Sequence, residues 1–225
     1  YGANFDCGID KIGDNHVLKF YIESVDNDYA FDGENILKET VDLLLKIVFD
    51  PHKEDGIFNK DFVDVEKETL RKVIESKIDD KDAYAISQCV YNMYDKKGYG
   101  LYKYGDINYI DSIDEKNLTE YYDNLINTCK VDIYVSGNFE EKEITNIVTQ
   151  NETINKLVPR VEGYILNNEY TESKQIVEKP KEIIENMDVT QGKIIIGLDV
   201  LSKQDNLQAT ALVYNTLLGD GASSM

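Results

Sequence analysis

The chain has 225 residues, 42% of them hydrophobic, which suits one large domain or one and a half with a real core and argues against a disordered chain. A net charge of −19 and a pI of about 4.4 argue against nucleic acid or an anionic membrane surface as partner, because both require basic surface. No apolar run approaches the roughly 18 residues needed to span a bilayer, so no membrane association is expected. The start Tyr-Gly-Ala-Asn has neither Met nor a basic segment, which predicts no signal peptide and a piece of a longer or processed protein. Cys7, Cys89 and Cys129 are odd in number and widely spaced, so a disulfide framework is not expected and a cytoplasmic setting is. Cys89 and Cys129 lie in apolar patterns and read as core thiols. The two histidines, His16 and His52, share no ligand spacing.

In chain order, Asn4 to Asp10 and Val17 to Val25 read as two strands around the turn cluster Lys11-Ile12-Gly13-Asp14-Asn15. Leu18, Phe20 and Ile22 alternate with Lys19, Tyr21 and Glu23, the period of a half-buried strand. His16 falls at the hairpin end and His52 in an exposed linker. Gly33 to Phe49 reads as an amphipathic helix with Leu37, Val41, Leu44 and Val48 on one face, ended by Asp50-Pro51. Phe58 to Ile78 is a long helix whose inner stripe is expected to be Phe62, Val65, Thr69 and Val73, with Leu70 and Ile74 beside it. After a break at Asp79-Asp80-Lys81, Asp82 is expected to cap the next helix, with Ala83, Ile86, Val90 and Met93 on its apolar face.

The segment Gly98 to Gly105 is rich in Gly and Tyr but matches no phosphate-loop or dinucleotide pattern. It reads as a packed irregular loop, the alternative being a stacking surface for a ligand. Asp114 is expected to cap a helix from Glu115 to Asn127, with Leu118, Tyr121, Tyr122 and Leu125 recurring helically. Val131 to Val135 alternates as a strand ending at Gly137-Asn138, and Glu140 to Thr149 is a short helix. Asn151 to Asn168, polar and carrying Pro159 and Gly163, reads as a connector. Lys174 to Val177, Glu182 to Met187 and Lys193 to Val200 read as strands, and Asn206 to Leu218 as a helix stopped by Gly219-Asp220-Gly221. Hairpins interleaved with helices make the class α+β with a mostly antiparallel sheet packed against helices.

The long helix holds the chemistry in question. Glu66 stands seven residues before Val73, and Glu68 seven before Glu75, and seven residues is about two turns, so each pair shares a face. Carboxylates so placed can ligate a metal or simply be solvated beside Lys67, Arg71 and Lys72.

Several segments, in this order, resemble the pitrilysin/insulinase-type zinc peptidases and their mitochondrial-processing-peptidase-like relatives. They are Tyr1-Gly2-Ala3 with the hairpin after it; Glu66-x-Glu68 leading to Asp79-Asp80-Lys81-Asp82-Ala83-Tyr84; and Tyr99-Gly100, Gly105 and Ile110-Asp111-Ser112-Ile113. After these come Val131-Asp132-Ile133-Tyr134-Val135-Ser136-Gly137-Asn138-Phe139, and Gln191-Gly192-Lys193 through Gly219-Asp220-Gly221-Ala222-Ser223-Ser224-Met225. The resemblance covers nearly the whole chain and is closest to bacterial members encoded as pairs, of which one lacks the zinc motif. It implies a LuxS/processing-peptidase-like metallohydrolase fold, incomplete here. Residues 1–150 would be a first peptidase-like unit without its first strand and motif helix, 151–172 a connector, and 173–225 the start of a second, homologous unit.

The family's zinc site takes His-x-x-Glu-His from a helix that would precede Tyr1, and a glutamate from the long helix. Aligned without a gap on the Asp79–Tyr84 break, Glu66 matches the first glutamate of that helix and Val73 falls on the ligand position. Valine has no donor atom, so the resemblance implies neither a catalytic residue nor a metal ligand in this chain. A two-residue shift would instead place Glu68 first and make Glu75 the ligand, which turns the helix face by about 200°. The expected function is that of a non-catalytic, peptide-binding or structural partner of a zinc-bearing homologue, in a hetero-oligomer. Zinc would belong to the partner subunit, and this chain would need no cofactor. Peptide would add to the strand edge at Asn4, Phe5, Asp6 and Cys7, although this stretch departs from the family's Asn-Ala-x-Thr pattern. The alternatives are an active zinc endopeptidase whose His-x-x-Glu-His lies upstream, and a stand-alone interaction protein on the same fold.

Overall fold

The computed structural model describes residues 1–13, 15–157, 179–198 and 207–219. Strands β1 (Asn4–Ile12) and β2 (Asn15–Glu23) form an antiparallel hairpin in register from Asn4 opposite Glu23 to Ile12 opposite Asn15. Gly13 at its tip has φ +61°, the left-handed conformation that a glycine adopts without a Cβ clash. The strands run further into the turn than the composition predicts, because ladder hydrogen bonds outweigh the weak strand propensity of Lys11 and Asn15.

Helix α1 (Ile36–Phe49) begins three residues after Gly33, whose φ of +75° is incompatible with a helix interior. Asn35 caps it by accepting from the Lys38 N–H. Of the predicted face of α1, Val41 is buried and Leu37, Leu44 and Val48 are half-buried; Ile36 and Leu45, outside that face, are the other buried residues. Val41 and Leu45 join Ile147 of α5 (Glu141–Gln150) in a core, with Leu37, Phe49, Ile144, Val148 and Ile154 packed around it. Ile154 belongs to a short helix, α6 (Glu152–Asn155), which counting in chain order follows α5. Asn151, read from sequence as the start of an irregular connector, caps α6 and also donates to Asp42 Oδ1 at 2.6 Å. Residues 158–168 of that connector lie outside the described residues.

Helix α2 (Lys60–Glu75) continues as a 3-10 turn over Ser76–Ile78 and stops before α3 (Lys81–Met93). The break falls where the sequence places it, but the cap is Asp80, which accepts from the Asp82 and Ala83 N–H groups; Asp82 is already inside the first turn. Helix α4 (Glu115–Thr128) has the predicted Asp114 cap, completed by Asn117 into a reciprocal capping box. Helix α7 (Gln208–Leu218) closes the described chain and ends at Gly219.

Chain and class agree on α+β, with one qualification about the sheet. Among the described residues the only ladder is the hairpin. Residues 131–135, 182–187 and 193–198 were expected as strands and are without ladder partners, while 174–177 and 199–200 lie outside the described residues. Alternation marks the capacity to pair; the pairing itself needs a neighbouring strand to take the N–H and C=O groups.

Candidate metal helix and peptide edge

Helix α2 is unbroken from Lys60 to Glu75, so the helical spacing holds over all four positions in question. Glu66 and Val73 share one side, with Phe62, Val65 and Thr69; Glu68 and Glu75 share roughly the opposite side. The side that packs is neither. Val63, 6% exposed, is the buried residue, followed along the helix by Lys67, Leu70, Arg71 and Ile74. This face lies against a 3-10 segment, Ile107–Ser112, in which Ile110 is buried. Lys67 Nζ donates to the Ile113 carbonyl, and Arg71 Nη2 meets Asp111 Oδ1 at 2.7 Å. That carboxylate raises the Arg71 pKa and keeps its charge fixed.

The expected inner stripe is therefore corrected. Phe62 is 68% exposed and Val73 36%, so Val73 does not sit in packed hydrocarbon. The apolar residues of α2 fall on two faces roughly 120° apart, and the 3-10 segment Ile107–Ser112 lies against one of them. On α3 the expected apolar face is likewise only partly covered: Val90 is half-buried, whereas Ile86 and Met93 stay exposed.

The carboxylates of α2 stand apart from one another. Glu66, Glu68 and Glu75 are exposed, and Glu68 Oε1 lies 3.5 Å from Arg71 Nε. Among the described residues no three His, Cys, Asp or Glu side chains converge as a metal would require. His16 and His52 are both exposed and stand in different elements.

The peptide-edge residues Asn4, Phe5, Asp6 and Cys7 are exposed and pair with Glu23, Ile22, Tyr21 and Phe20. Among the described residues β1 pairs with β2 alone, so its other edge has no strand partner, the arrangement to which an extended peptide can add; the Cys7 N–H donates to Asp6 Oδ1 at 2.8 Å. The structure does not bring these four residues and Val73 into one hydrogen-bonded cluster. The far end of β1 is tied elsewhere: Lys11 Nζ donates to the carbonyls of Gly98, Tyr99 and Leu101.

Sequence reasoning missed two positions of consequence. Thr119 is buried and receives the Phe58 N–H at 3.0 Å, anchoring the entry to α2 on α4. Lys77 lies over the rings of Tyr102 and Tyr84, at 4.4 and 5.7 Å from their centroids. The run of tyrosines around Gly98–Gly105 signalled aromatic packing there, but nothing local pointed to Lys77.

Residues 112–225, just over half of the chain, match the family model described as the Peptidase M16 inactive domain. The chain belongs to the M16 peptidase family. This is the family of insulinase- and processing-peptidase-like proteins that the ordered motifs resemble. Over 220 residues this M16 chain is 31% identical to a Bacillus subtilis (strain 168) protein named "Probable inactive metalloprotease YmfF". The match takes in 97% of this chain and 50% of that protein, so the chain spans about half the length of the curated relative it matches. The fold is also similar to the crystal structure of a conserved protein from Enterococcus faecalis V583, with a TM-score of 0.66 and 29% identity over 72% of this chain and 37% of that one. None of the described helices is long and apolar enough to cross a membrane.

Proposed function

We propose that the protein is a non-catalytic M16 member that binds peptide and helps build an assembly with a zinc-bearing homologue. The observation that carries this reading is Val73. It stands two turns after Glu66 on one face of an unbroken helix, at the position where the family's third ligand is expected. A hydrocarbon side chain there supplies no lone pair for Zn²⁺. The relative named as a probable inactive metalloprotease points the same way. Peptide would add to the outer edge of β1 beside Asn4, Phe5, Asp6 and Cys7, where main-chain hydrogen bonds supply affinity without catalysis. The three free thiols suit a reducing compartment such as the cytoplasm.

The test uses the full-length protein, purified alone and assayed for zinc by mass spectrometry and for hydrolysis of unfolded polypeptide. Sub-stoichiometric zinc and no cleavage are expected, and Glu75→Gln should change neither. Tight stoichiometric zinc that is lost in Glu75→Gln would overturn the reading. Co-expression with the zinc-bearing homologue should yield a complex that co-elutes in gel filtration; separate elution would remove the partner role.

A further inference from the structure

The Gly98–Gly100 turn folds back tightly on α3: a Cβ on Gly100 would lie 3.0 Å from Tyr94 Cβ and 3.2 Å from the Tyr91 carbonyl. Lys11 closes the turn from the hairpin side, donating to three of its carbonyls at 2.6–3.0 Å. Between this turn, the end of α2 and α3 lies an open cavity of about 240 Å³, lined by Val90, Tyr99, Leu101 and Tyr102, with Ser87 and three lysines, Lys11, Lys77 and Lys103, as polar contributors. Its volume is just under the roughly 300 Å³ at which ordinary ligand pockets begin, so it has room for one residue-sized group.

Lys77 is the unusual member. Its ammonium lies on the faces of Tyr102 and Tyr84, and among the described residues no carboxylate comes within ion-pair distance of it. Burial lowers its pKa, with the more distant Glu185 opposing. Glu185 is itself occupied by the Tyr84 hydroxyl, at 2.7 Å. The Ser87 hydroxyl donates its proton to the Tyr84 carbonyl, so it offers a ligand no donor in that state. Of the three lysines, Lys11 spends its N–H groups on the carbonyls of Gly98, Tyr99 and Leu101, and Lys103 is exposed, over the Tyr104 ring. The cavity thus presents Lys77 as the half-buried cation that can turn to a ligand, among aromatic and aliphatic walls. A phosphate, with its greater charge and three acceptor oxygens, would be left underbonded here. A single carboxylate on an apolar body matches both the charge and the walls.

We propose that this cavity binds the carboxylate of an apolar organic acid, with Lys77 as its ion-pair partner. The acid is either the C-terminal residue of a peptide or a free branched-chain acid. The inference requires neither zinc nor a paired subunit, so the outcome of the zinc measurement leaves it unaffected.

Calorimetric titration of the full chain would compare three probes: N-acetyl-Ala-Leu with a free carboxylate, its C-terminal amide, and 4-methylpentanoate. Saturable binding of at least one acid, about tenfold or more tighter than the amide, is expected from a charge-assisted contact. The tighter of the two acids identifies the source. Lys77→Met should weaken the acid about tenfold while Lys77→Arg keeps most of the affinity. If Lys77→Met fails to fold, Ser87→Leu fills the cavity with Lys77 in place and should also abolish binding. Equal affinity for acid and amide, no saturable binding of either acid, or unchanged binding in a folded Lys77→Met or Ser87→Leu protein would each overturn the proposal.

Discussion

Replacing Thr119 by valine isolates a single hydrogen-bonded anchor. Thr119 is 6% exposed, the one buried polar side chain among the described residues. Its Oγ1 accepts from Phe58 N–H at 3.0 Å and donates to the Glu115 carbonyl at 2.6 Å. Valine has nearly the same shape, so no cavity opens. The Glu115 carbonyl keeps its place in the helix ladder, but the Phe58 N–H loses its acceptor in a half-buried site. Leaving such a donor unpaired costs about 1–3 kcal/mol. The added methyl returns up to roughly 0.8 kcal/mol of burial, so from the middle of that range the net loss is about 1.2 kcal/mol. For a protein of this size that lowers the Tm by roughly 2–5 °C. Phe58 directly precedes Asn59, whose side chain caps α2, so the loss acts on the start of the helix that carries Val73. Amide hydrogen exchange is the decisive assay. Phe58 should lose protection in Thr119→Val and keep it in Thr119→Ser, which retains the hydroxyl. Undiminished Phe58 protection and stability in Thr119→Val would refute the assignment.

Two further outcomes follow from the helix junctions and the tyrosines. Asp80→Ala should cost about 1 kcal/mol in a denaturant titration, since it removes the acceptor for the first N–H groups of α3. Asp82→Ala, which removes only an exposed ion pair with Lys193, should cost a few tenths; the reverse order would restore Asp82 as the cap. Burial, and for Tyr84 also its hydrogen bond to Glu185, pushes the Tyr84 and Tyr122 phenols up to about 12. Their neutral forms are favoured in the folded state, so this contribution is fully present below pH 10 and is lost as the pH rises from about 10 to 12. Tyrosinate absorbance should show a late-titrating component reaching to about pH 12, and Tyr122→Phe should diminish it; an undiminished component in that variant would contradict the burial of Tyr122.

The parts of this fold that were legible in the sequence are those whose signal is local. The hairpin, the α1 face through Val41, the Asp114 cap and the break before α3 each depend on residues within a few positions of one another. Errors at their edges have local causes too: Gly33 cannot enter the helix it precedes, and Asp80 outcompetes Asp82 because it stands two and three residues before the N–H groups that need an acceptor. The Glu66-to-Val73 spacing is local too, and α2 is helical over all of it.

What sequence alone could not rank were equivalent local patterns. Two stripes on α2 have the helical period, and both contain large apolar residues. The 3-10 segment Ile107–Ser112, more than thirty residues beyond the end of the helix, lies against α2, where Val63 is buried and Phe62 and Val73 are exposed. Residues 131–135 alternate like a strand, yet a ladder is a property of two segments. Lys77 looks like any helix-end lysine until Tyr84 and Tyr102 come round to it from either side. By itself, then, the sequence determined the hairpin and the order of the longer helices after it, the family and the hydrocarbon side chain at the expected ligand position, because helical spacing and side-chain chemistry are set along the chain. The tertiary structure alone decided which faces are covered and where a cation is left among aromatic walls, because burial depends on residues that meet only when the chain has folded.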